Sequence, residues 1–119
     1  MNIKWKRFDE PVFEKTVYAV WCSREELYTW LKKKFDFDLE MSEFSDGVSI
    51  NLPDNLGSVI WLSDKKDFYL LLHETVHIVR FSLEDRMMIT DLAVDDETFA
   101  YYQAYWFKVL WRWFNKLKG

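Results

Sequence analysis

Both histidines of the chain fall in one short run, His73-Glu74-Thr75-Val76-His77, and that run has the spacing of a metal site written on one helix. At about 100° per residue, the two imidazoles are separated by about 40° around a helix axis and about 6 Å along it, so both face a single ion. Glu74 is offset to the side of that pair. Its carboxylate can reach a water activated by the metal without displacing it, and accept the proton as the oxygen attacks a carbonyl. The chemistry expected of the run is metal-assisted hydrolysis.

Zinc in such a site takes a third protein ligand and keeps one position open. Glu97 is the candidate. It lies twenty residues after His77, in Asp96-Glu97-Thr98-Phe99-Ala100, at the start of a further helical stretch where the helix dipole favours an ionised carboxylate. Asp96 is its main competitor, since an acid-rich helix start often serves only as a cap. The small Ala100, one turn later, lets the two helices approach closely.

The elements that must position these residues are also visible in the pattern. Thr16 to Cys22 is rich in β-branched and aromatic residues and reads as a strand after a Pro-containing lead-in. Ser23-Arg24-Glu25-Glu26 is a capping box, opening a helix expected to run to about Lys34 with Leu27, Trp30 and Leu31 on its buried side. Lys32 to Lys34 fit the C-terminal turn of that helix, where the dipole favours cations. Phe35 to Ser45 carries no decided pattern. Val48 to Leu52 and Ser58 to Ser63 are short strands, and the turn residues Pro53 to Gly57 between them make a hairpin plausible.

From Ser63 the pattern becomes helical, with Asp64 as a cap, Asp67 in the first turn, and a stripe of Phe68, Leu72, Thr75 and Val79. Ser82 to Leu92 reads as a short helix or irregular connection. A last helix opens at Asp95 or Asp96 and runs to about Leu117. There is no internal repeat.

HETVH, nineteen residues, then a Glu followed by two residues and Ala together resemble the gluzincin metallopeptidases, the thermolysin-like group, in motif and spacing. The short chain is also similar to the single-domain minigluzincins and to small phage-encoded metallopeptidase-like proteins. The resemblance covers Ser58 to about Tyr105. It implies a zinc ion held by His73, His77 and Glu97, with Glu74 as general base. The fold it implies is a minimal zincin-like α+β domain, a small, mostly antiparallel sheet packed on the HExxH helix and on a long aromatic C-terminal helix. It also implies that the strand before the active-site helix, Ser58 to Ser63, presents an exposed edge to an extended peptide or protein substrate. Where the family often has an acid one turn after the third ligand, this chain has Tyr101. Tyr101 is available to hold a histidine or to donate its phenol to the oxyanion, and Tyr105 is a second candidate for the latter.

Composition bounds the remaining possibilities. The chain has 119 residues, half of them apolar, with seven Trp, ten Phe and six Tyr. That is the size of one domain, residues 1–119, with large side chains to fill its core. A net charge of -4 argues against nucleic acid as a partner, because phosphate binding needs a concentrated basic surface. A single Cys, Cys22, provides neither a disulfide framework nor a thiolate cluster, which suits a reducing compartment. No apolar run is long enough to span a membrane, and Met1 to Pro11 lacks the apolar segment of a secretory signal. Cytoplasm is the expected address, the host's if the chain is phage-encoded.

The last helix has two aromatic stripes, Tyr101, Ala104, Phe107, Trp111 and Phe114, and Phe99, Tyr102, Trp106, Val109 and Trp113. One stripe more than a surface helix needs must be covered by the N-terminal strands, by a homo-oligomer partner, by a target or by a membrane surface. The rival to an enzyme is therefore an inactive zincin-fold binding module, such as a phage inhibitor or adaptor, working through this helix.

Overall fold

In a computed structural model, residues 3–11, 14–41, 45–84 and 96–117 are described. They form a small α+β domain with four strands and three helices: β1 Lys4–Glu10, β2 Lys15–Trp21, α1 Arg24–Phe35, β3 Gly47–Asn51, β4 Ser58–Leu62, α2 Phe68–Glu84 and α3 Asp96–Lys116. The strands form one mixed sheet in the order β1-β2-β4-β3. β1 pairs antiparallel with β2, β2 parallel with β4, and β3 antiparallel with β4, with Ser49 opposite Ile60.

Period-two alternation divides the sheet between two cores. Val17, Ala19, Ile60 and Leu62 face α2 and α3, meeting Leu71, Ile78, Val79 and Leu83 of the first and Tyr102, Trp106, Leu110 and Phe114 of the second. Tyr18, Val20, Val59 and Trp61 face the other way, onto Leu27, Trp30 and Leu31 of α1. The sheet is thus the middle of three layers. On the α1 side, Trp5, Tyr18, Trp30 and Phe35 pack tilted or edge to face, the arrangement their ring quadrupoles favour.

Helix α1 starts where the capping box places it. Ser23 Oγ accepts from the Glu26 N–H at 3.1 Å, and the Glu26 carboxylate accepts from the Ser23 N–H at 3.0 Å. The helix ends on Asp36, whose N–H donates to the Lys32 carbonyl and whose left-handed φ of 52° turns the following Phe37 N–H back onto the Leu31 carbonyl.

Four expectations are corrected. The lead-in before the first expected strand is itself a strand, β1; its alternation is hidden because Lys4, Lys6 and Arg7 stand on an edge strand, where charges block further pairing. The start of α2 is Phe68 rather than the stretch after Ser63. Asp67 caps it by accepting from the Leu70 N–H, while Asp64 closes the preceding turn by accepting from Lys66 N–H. The buried face of α2 carries Leu71, Thr75, Ile78, Val79, Ser82 and Leu83, while Phe68 and Leu72 of the expected stripe stay exposed. Sheet and α3 meet this helix from two directions, so the buried arc is wider than one stripe and rotated from it.

The fourth correction concerns β4, expected as an exposed edge. It lies between β2 and β3 and all five of its residues are buried. The edge strand next to α2 is β3. Of the stretch Ser82 to Leu92, Ser82 to Glu84 continue α2, and residues 85–95 lie outside the described set.

Helix α3 is covered largely from within the chain. Tyr102 donates to the buried Glu10 carboxylate at 2.9 Å and Trp113 meets Phe8 edge-on, which ties one side of α3 to β1. Phe107 and Trp111 pack against Phe68 of α2. Lys65 donates to the Leu117 carbonyl at 2.6 Å, placing a cation at the helix's C-terminal end. No described helix is long and apolar enough to cross a membrane.

Candidate metal centre

The exposed face of α2 carries the two histidines. One helical turn apart, their Nε2 atoms lie 3.4 Å from each other, with the rings 76° from coplanar and their centroids 5.0 Å apart. That separation has a direct chemical reading. Two nitrogens each about 2.0–2.1 Å from zinc at a tetrahedral angle are about 3.4 Å apart. The spacing of the donor pair is therefore that of two ligands to one ion, and it is equally within reach of a hydrogen bond between the rings when one of them carries its proton on Nε2. His73 is 68% exposed, and His77 stacks on Phe81 on its other side, ring centroids 6.5 Å apart.

Glu74 points away from solvent, with its side chain only 8% exposed. Alternation along β3 explains what receives it. Val48 and Ile50 belong to the α1-side core, so Gly47 and Ser49 face α2. Ser49 Oγ lies 2.8 Å from Glu74 Oε1 and 3.0 Å from the Glu74 main-chain oxygen. The other carboxylate oxygen, Oε2, lies 3.8 Å from His73 Nε2. Gly47 makes the close approach possible: a Cβ there would come within 3.1 Å of Leu70 Cδ1 and 3.3 Å of Glu74 Cγ. The base candidate is thus held by the edge strand, with one oxygen anchored and the other turned toward the histidines.

The remaining candidates are placed differently. Glu97 stands exposed in the first turn of α3. Among the described residues no three His, Cys, Asp or Glu side chains gather to hold a metal, so the assignment of Glu97 rests on its spacing. The side chain of Asp96 lies outside the described set.

Tyr101 is 44% exposed and stacks on Tyr105, ring centroids 6.1 Å apart. Burial, then the Glu10 carboxylate, followed by Tyr101 and Asp9, push the Tyr105 phenol above its ordinary range. Both carboxylates belong to β1, the sheet edge opposite β3. The structure thus brings His73, Glu74 and His77 together and groups the two tyrosines with each other, with no hydrogen bond or ring contact joining the two sets among the described residues.

Two polar residues of consequence were not singled out from the sequence. Ser49 is signalled only by a Gly and a Ser alternating with Val and Ile in a strand before HExxH. Glu10, fully buried against Tyr102, carries no signal at all in a charged N-terminal stretch. Cys22 is buried, and its thiol is pushed up to about 12, first by burial and then by the Glu26 charge, which keeps it out of any nucleophilic role.

No protein-family model, curated protein or solved structure matches the chain.

Proposed function

We propose that this chain is a zinc-dependent metallopeptidase of gluzincin type, acting in the cytoplasm, with His73 and His77 as zinc ligands, Glu97 as the third and Glu74 as general base. The observation that carries the reading is the pair of Nε2 atoms 3.4 Å apart beside a carboxylate with one oxygen against Ser49 and the other 3.8 Å from His73 Nε2. A bound zinc supplies Lewis acidity, polarising a substrate carbonyl and making water nucleophilic near neutral pH. Glu74 Oε2 takes the proton that the attacking water loses and delivers it to the leaving amine nitrogen. The buried setting of Glu74 keeps bulk water from competing for that proton.

A peptide substrate is favoured by the strand beside the site. β3 is a sheet edge running along the turn of α2 that carries Glu74, and an edge strand recognises an extended backbone irrespective of its side chains. Tyr101 and Tyr105 are the candidate oxyanion donors, a role that rests on their place in α3 after Glu97 and not on a contact with the histidines.

A second reading has its own observation. Phe68, Tyr69, Leu72 and Val76 are all exposed on α2 beside the histidines, an apolar strip suited to a protein partner of a binding module. The two readings separate on Glu74→Gln. An enzyme loses cleavage of an unstructured protein substrate by about a hundredfold to ten-thousandfold and keeps its zinc. Zinc-dependent cleavage surviving in Glu74→Gln removes Glu74 from the mechanism, and a wild type that binds zinc but cleaves nothing favours the binding module.

A further inference from the structure

We propose that Ser49 is the positioning residue for Glu74, an inference that rests on the reading of Glu74 as general base. Glutamate has three side-chain torsions, and freezing them costs rotamer entropy. A base on an open helix face would spend much of its time pointing elsewhere. Here one oxygen is tied down: Ser49 Oγ lies 2.8 Å from Oε1, within reach of a charge-assisted hydrogen bond. Fixing Oε1 also fixes the plane of the carboxylate, and Oε2 is left 3.8 Å from His73 Nε2.

The geometry is selective. A serine hydroxyl has one proton to donate, and both acceptors within its reach, Oε1 and the main-chain oxygen at 3.0 Å, belong to Glu74. Donation to Oε1, the shorter of the two contacts, is the choice that places the carboxylate. Gly47, on the same face of β3, leaves room for the Glu74 stem, since a Cβ there would sit 3.3 Å from Glu74 Cγ. Ser49 itself is held in register opposite Ile60 of the buried strand β4. The anchor is therefore paired to the buried centre of the sheet. Ser49 touches neither the proposed ligands nor the reacting atoms, and acts only through Glu74.

The test compares Ser49→Val with Ser49→Thr, nearly equal in shape and different in the hydroxyl, with Ser49→Ala as the variant that adds no bulk. In zinc-loaded protein, Ser49→Val and Ser49→Ala are expected to lower kcat by about 10–100-fold, the usual loss when an outer hydrogen-bond partner is removed. KM and bound zinc stay at wild-type values, and Ser49→Thr restores kcat. In crystals of the metal-free protein, Ser49→Ala is expected to show the Glu74 carboxylate rotated out of its place beside His73, and Ser49→Thr to show it retained. Wild-type kcat in both hydroxyl-free variants, or a Glu74 side chain unmoved in Ser49→Ala, overturns the proposal. If the wild type cleaves nothing, the hydrolase reading fails separately, and the crystallographic comparison alone decides whether Ser49 places Glu74.

Discussion

His73, Glu74 and His77 are legible because their chemistry and their positioning element lie in the same five residues: one helical turn brings the two Nε2 atoms to 3.4 Å. Ser49 was not legible for the opposite reason. It reaches Glu74 across 25 positions of chain, and nothing in VSINL records which helix will cover it. Cys22 illustrates a residue whose role is set by burial alone. With its thiol pushed up to about 12 against an ordinary value of 9.0, Cys22 is expected to resist a disulfide reagent at pH 8 in the native protein and to react promptly in denaturant. The sign of the linkage follows. Because the folded pKa is raised, the unfolded chain releases this proton first, so the Cys22 contribution is complete below pH 9 and is lost as pH rises toward about 12. Native Cys22 reacting as fast as a free thiol would contradict the burial that raises it.

Among the elements, those set by neighbouring residues are legible in the sequence and those set by lateral pairing are not. The Ser23 capping box placed the start of α1 because both of its hydrogen bonds lie within four residues. Ser23→Ala is expected to cost about 1 kcal/mol in denaturant unfolding, and an unchanged midpoint would show the cap to be idle. The hairpin of β3 and β4 was equally local. By contrast, the burial of β4 depends on a parallel pairing with β2, residues that the whole of α1 and β3 separate in sequence, so the edge passed from Ser58–Leu62 to Gly47–Asn51. The rotation of α2 has the same origin. Of its expected stripe Thr75 and Val79 are buried, while Phe68 and Leu72 give way to Leu71 and Ile78, and no periodicity within one helix can choose between two apolar arcs.

For the whole molecule, the aromatic C-terminal helix closes the fold, reaching β1 through Tyr102 and Trp113 and α2 through Phe107 and Trp111. That coverage was among the outcomes the two aromatic stripes allowed, and it leaves one imperfection. Both amide atoms of Gln103 and the indole nitrogen of Trp106 are buried without a hydrogen-bond partner among the described residues. A buried amide so placed carries a desolvation cost with no return. Gln103→Met, similar in length and free of polar atoms, is expected to stabilise the protein by about 1–3 kcal/mol, seen as a raised denaturant midpoint at unchanged slope; a lowered midpoint would mean that the amide has a partner in solution. The proposed zinc site has a consequence for the whole chain, because an ion that binds only the native state adds its free energy to folding. The most direct measurement is therefore zinc titration of the metal-free protein, followed by calorimetry and by thermal unfolding, for wild type and His77→Ala. One zinc per chain, with a thermal midpoint that rises on loading and a loss of both in His77→Ala, is the predicted result. Failure of the wild type to bind zinc, or zinc bound as tightly by His77→Ala, would contradict the account.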